Sequence, residues 1–130
     1  MANVELHGSD RLTTAVAHAY SATVPAGATV HIAGVAPLDE GGTTLAPGDV
    51  QGQVRAAVAN LRVILDERGA GLADVARLTV FVAEHLQIDL QVAVDTLAEL
   101  FGDLPPLSVV GVSRLRYDDQ VVELEAVAAL

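Results

Sequence analysis

The chain has 130 residues and a net charge of −10; its seven basic residues are all arginine, it has no cysteine, and four of its residues are aromatic. Without lysine there is no Schiff-base nucleophile and no usual anchor for pyridoxal phosphate, and without cysteine there are no disulfides, thiolate nucleophiles or thiolate metal ligands. The acidic balance opposes binding to phosphate backbones, and Tyr20, Phe81, Phe101 and Tyr117 are too few for an RNA-stacking platform.

Val4–His7 is short and mixed, and reads as a first edge strand. Ala15–Val24 reads as a strand running into the turn Pro25-Ala26-Gly27, and Ala28–Val35, rich in β-branched residues, follows it. A hairpin joining these two is the natural expectation. Pro37–Gly48, dense in Gly, Pro and Thr, is a loop. Asp49–Arg68 is the clearest helix, with Val50, Val54, Val58, Leu61 and Leu65 at helical spacing. Pro47 and Asp49 suit its start, and Gly69 suits the position just past its end. Ala73–Ala83 becomes a strand from about Val75. Leu86–Leu100 is a second helix with Leu90, Val94, Leu97 and Phe101 on one stripe, stopped by Gly102–Pro106. Leu107–Val112 and Val121–Val127 are two further strands around the polar loop Ser113–Gln120.

This order predicts a single α+β domain over residues 1–130, one mixed sheet with two helices packed on one face. Hydrophobic residues make up 52% of the chain, so a core can form, built from Val, Ala, Leu and Ile. The other face of a Val-rich sheet would stay bare in a monomer, and further copies of the chain are the simplest cover. The segment Met1–Leu6 lacks the basic and apolar regions of a signal peptide, and no apolar run reaches membrane-spanning length. A cytoplasmic protein with no membrane or nucleic-acid partner is expected.

His7, His18, His31 and His85 lie in different elements with no metal-ligand spacing, so no metal site is expected and these read as structural or surface residues. Gly41-Gly42 and Gly69-Ala70-Gly71 match neither a dinucleotide fingerprint nor a P-loop. No nucleophile elbow accompanies the scattered serines and histidines. Glu123 and Glu125 are two residues apart on the last strand and share one face of the sheet, with Val122, Leu124 and Ala126 on the other. Two such carboxylates are either a solvated face or, if one is sequestered, a general base on water.

Several phrases in fixed order resemble one family: Ala33-Gly34 with Pro37, Gln53 through Asn60-Leu61, Gly69 through Val82, and Val122 through Ala128. From about Thr14 onward the chain resembles the Rid proteins, reactive intermediate deaminases, also called YjgF or L-PSP. The resemblance implies a chorismate-mutase-like fold and a homotrimer with a barrel-like core and a small-molecule pocket at each subunit interface. It implies cofactor-free hydrolysis of imines and enamines to a keto acid and ammonia. It places the water-positioning glutamate on Glu123 and the pocket tyrosine on Tyr20. The family's Ser-Gly segment falls on Ala33 and Gly34, and its second-helix asparagine on Val94. Its Pro-Ala-Arg-Ser phrase falls on Pro105-Pro106-Leu107-Ser108, so Leu107 stands where the carboxylate-clamping arginine is expected. Backbone amides near Leu107, Ser108 and Val109 would orient a polar group. The family's Leu-Pro reads Leu115-Arg116, and Arg114 or Arg116 could replace the missing guanidinium or remain solvated.

The resulting expectation is an imine- or enamine-processing enzyme of altered substrate range. Its competitors are a non-catalytic ligand-binding or regulatory trimer of the same fold and, against the charge balance, an endoribonuclease.

Overall fold

The structure is a computed structural model and describes residues 4–83 and 86–130. His85 lies outside the described residues. The elements run β1 (Glu5–His7), β2 (Ser21–Thr23), β3 (Thr29–Val35), α1 (Val50–Glu67), a 3-10 turn (Leu72–Asp74), β4 (Val75–Ala83), α2 (Ile88–Phe101), β5 (Leu107–Val112) and β6 (Val122–Ala129). Strands β3, β6, β4 and β5 form one sheet in that order, antiparallel except for the β4–β5 pair. No helix is long and apolar enough to cross a membrane.

Helix α1 buries most of the stripe that its spacing predicts, whereas α2 buries Leu97 with Ala93 and Thr96 and leaves Leu90, Val94 and Phe101 half-buried. Val54, Val58, Leu61 and Leu65 of α1 and Leu97 of α2 are fully buried against Leu78, Val80, Val122 and Leu124 of the sheet. Helix α1 ends in a Schellman arrangement. The Ala70 N–H donates to Leu65 O and the Gly69 N–H to Asp66 O, each at 2.9 Å, with Gly69 at φ +77°.

The amino-terminal hairpin does not form as expected. The strand predicted over Ala15–Val24 contracts to Ser21–Thr23, and it pairs with β1 in a separate two-stranded sheet, so the strands do not all belong to one sheet. Strand β3 pairs instead with β6, close to the other end of the chain. The reason is burial. Val30, Ile32 and Val35 of β3 need a partner that continues an apolar face, and β6 supplies Leu124, Ala126 and Ala128. Strand β2 could offer only Ala22 between exposed Ser21 and Thr23. The chain does bend at Pro25–Gly27, but the bend joins two strands that belong to different sheets.

Register fixes which side chains stand on the face away from the helices. Phe81 of β4 pairs with Glu123 on β6 and with Val110 on β5; Thr79 pairs with Glu125 and Ser108. These residues share the open face, where Val110 is 37% exposed. Leu107 and Val109, one position out of phase, point to the helix side.

Candidate functional site

Glu123 is half-buried near the start of β6. Its carboxylate lines a cavity of about 540 Å³ together with Gly34, Arg114, Leu115, Arg116 and Tyr117. That volume suits a small organic molecule. Three local features build the cavity.

The first is a bulge in β3. Ile32 pairs with Ala126 and Val35 with Leu124, so three steps along β3 match two along β6. The extra residue falls at Ala33-Gly34, where Gly34 takes φ +67°. A left-handed backbone conformation favours glycine, and the bulge brings bare backbone to the edge of the cavity. A Cβ at Gly34 would meet nothing within 4 Å, so the space above it is open.

The second is a pair of amides on α1. Gln53 is fully buried and donates from Nε2 to Asp119 O at 2.7 Å and Ala46 O at 3.1 Å. Its Oε1 accepts from the Val121 N–H at 2.7 Å and the Val122 N–H at 3.2 Å. Two turns on, Asn60 Nδ2 donates to Ala36 O at 2.9 Å and Leu38 O at 3.0 Å. One helix thus holds both the exit of β3 and the entrance of β6.

The third is Gln120, 4% exposed. Its Oε1 accepts the Tyr117 N–H at 3.1 Å, and its Nε2 donates to Val122 O at 3.0 Å and, at a long 3.4 Å, to Glu123 Oε1. It ties the loop to the carboxylate. Arg116 stands with its guanidinium 5.5 Å from the centre of the Tyr117 ring, within the range of a cation–π contact.

The remaining candidates fall elsewhere in the chain. Ala33 lines a second cavity of about 270 Å³ on the open face, with His31, Arg77, Thr79 and Glu125. Ser108 accepts a hydrogen bond from the Arg77 guanidinium at 3.2 Å. Val94 and Val109 line a groove of about 480 Å³ between α2 and β5, on the helix side. Leu107 is 8% exposed and belongs to the core. Tyr20 lies in the segment before β2, its hydroxyl donating to Thr13 O at 2.8 Å and its ring edge-on to His18. Glu123 and Gly34 therefore meet in one chain, and Val94 and Val109 meet in another place. Among the described residues, no three His, Asp or Glu side chains come together as a metal site.

Gln53, Asn60 and Gln120 were not among the candidates read from the sequence. The helix phase carries a signal for Gln53: it lies beside Val50 and Val54 on the inward face of α1, where a polar residue needs a buried partner.

The profile of the Endoribonuclease L-PSP family matches residues 11–130. A RutC family protein of Pyrococcus abyssi is 34% identical over 110 residues, covering 84% of each chain. The chain belongs to the Rid/YjgF/L-PSP family. A RutC family protein of Pyrococcus horikoshii is 36% identical, covering 84% of this chain and 85% of its own. Among solved structures, YyfB of Yersinia pestis, a protein of unknown function in the conserved Rid family, superposes with a TM-score of 0.91 at 26% identity, over 98% of this chain and 99% of that one. TdcF of E. coli, solved with bound serine, gives a TM-score of 0.70 at 25% identity, over 96% and 93%. The Rid/YjgF/L-PSP fold thus accounts for the two helices on one side of a mixed sheet, and the cavity at Glu123 sits on the sheet's other side.

Proposed function

We propose that this Rid/YjgF/L-PSP protein hydrolyses a reactive imine or enamine in the cytoplasm, in pockets completed between copies of a homotrimer. The observation that supports it best is Glu123, a half-buried carboxylate braced by Gln120 at the wall of a cavity large enough for a small substrate. In this reading Glu123 accepts a proton from water as the water oxygen bonds to the imine carbon. The C=N π electrons pass to nitrogen, which takes up a proton. The carbinolamine then loses ammonia as its hydroxyl proton departs, leaving a carbonyl. An enamine enters the same path after protonation at carbon.

The split of the candidate residues favours a pocket shared between copies. The groove at Val94 and Val109 opens on the helix side by β5, while Glu123 opens on the bare face. Strand β5 is an edge with pairing on one side alone. Because Pro106 O accepts from the Leu78 N–H, the backbone groups of Leu107 and Val109 point away from β4, toward that edge. An apolar edge and a bare face are surfaces that a second and third copy would cover. The Val94–Val109 wall and Tyr20 of one copy would then complete the cavity at Gly34 and Glu123 of the next. RNA cleavage, which the name Endoribonuclease L-PSP suggests, is opposed by the chain's net charge of −10.

Imines generated in situ from several amino acids by an amino-acid oxidase test the reading, with keto-acid release as the signal. Accelerated release is expected with imines of apolar amino acids, and Glu123→Gln is expected to abolish it. If the wild-type protein accelerates no imine, the fold serves as a ligand-binding trimer instead.

A further inference from the structure

Substrate acids need a cationic handle, and the position where the family resemblance places it is Leu107, buried in the core. The structure offers another. Two of the seven arginines in this strongly acidic chain, Arg114 and Arg116, line the cavity that contains Glu123. Both are exposed, and the one ion pair among the described residues, Arg55 with Glu99, involves neither of them.

The segment carrying them is held in shape. Asp118 O accepts from Thr44 Oγ1 at 3.0 Å, Asp119 O accepts from Gln53 Nε2 at 2.7 Å and from the Gly48 N–H at 3.1 Å, and the Gln120 N–H closes the turn on Tyr117 O at 3.1 Å. Arg116 is restrained further by the Tyr117 ring. A guanidinium already held in place loses less entropy on binding, and its planar fork matches a carboxylate. The groove beside β5, which would face this loop from the adjoining copy, has the contrary character: Ile88, Leu90, Val94 and Val109 line it with the uncharged Gln87 and Gln91.

The geometry points to Arg116, assisted by Arg114, as the carboxylate-binding element of this site. The substrate class is then a 2-imino acid with a branched apolar side chain, carboxylate toward the 114–117 loop and side chain toward the Val94–Val109 wall of the adjoining copy. This inference rests on the imine-hydrolase reading for its chemistry, and on the cavity alone for its anion handle.

Calorimetric titration with the product 4-methyl-2-oxopentanoate and with its uncharged primary amide separates the two. The acid is expected to bind the wild-type protein more tightly than the amide, and Arg116→Gln to weaken the acid roughly 10- to 100-fold with little change for the amide. Arg114→Gln should have the smaller effect. Equal binding of acid and amide to the wild type, or an acid affinity unchanged in Arg116→Gln, overturns the proposal, as does an effect confined to Arg114→Gln. If no imine is turned over but Arg116→Gln still removes the preference for the acid, the handle stands and the enzyme reading falls. If turnover of the leucine-derived imine persists in Arg116→Gln with unchanged KM, the handle falls and the enzyme reading stands.

Discussion

Gln53 makes the four hydrogen bonds its amide can make, two as donor and two as acceptor. Every partner is backbone, and two of them are the amides of Val121 and Val122, at the entrance of the strand that bears Glu123. Truncation would strand buried N–H and C=O groups, which costs more than the bonds themselves contribute. Gln53→Ala is therefore expected to destabilise the protein by about 3 kcal/mol, read as a lower urea midpoint at unchanged slope. A loss below roughly 1 kcal/mol would mean that water replaces the amide at no great cost. By contrast, the Arg55–Glu99 pair is 2.9 Å long but lies on the surface, with side chains 42% and 61% exposed, so it adds little.

Among the elements, α1, β4, α2, β5 and β6 could be read from the sequence because each carries its own periodic apolar pattern. Their observed bounds differ from the expected ones by a few residues at most: Asp49–Arg68 against Val50–Glu67 for α1, and Val121–Val127 against Val122–Ala129 for β6. The pairing of β3 could not be read this way. Pro25–Gly27 before it is a local signal, whereas the partner of β3 is decided by which distant strand continues its buried face. The site has the same division. Glu123 and Gly34 could be named as candidates because the family phrases hold them, but the bracing amides could not, since three of the four groups that Gln53 bonds lie 66 to 69 residues away, at Asp119, Val121 and Val122. The bulge in β3 gives this level its own prediction. Gly34→Ala meets no steric obstacle but must hold a left-handed backbone, at about 1 kcal/mol of stability. Thermal unfolding of the variant measures this; an unchanged midpoint would mean that the bulge relaxes to another conformation.

At the scale of the whole molecule, the sheet is finished on one side only. The helices cover Leu78, Val80, Val122 and Leu124, while the other side shows a mixed surface of Val110, Phe81, Arg77 and two glutamates. A homotrimer built on that surface is expected to sediment with the mass of three chains at micromolar concentration. A monomeric mass would remove the shared pocket and leave the cavity at Glu123 to act within a single chain.

Strand β6 has a further consequence through its place in the sheet. It follows every other element in the chain, yet it lies between β3 and β4 rather than at an edge. Until it inserts, β3 has no neighbour, Gln53 has no amides to receive, and no carboxylate faces Gly34. Closing such distant pairs is slow, because the chain entropy is lost before the contacts form. The cavity at Glu123 is thus expected to arrive with the last cooperative step of folding, so a partly folded chain would have its helices and still lack a place for a ligand.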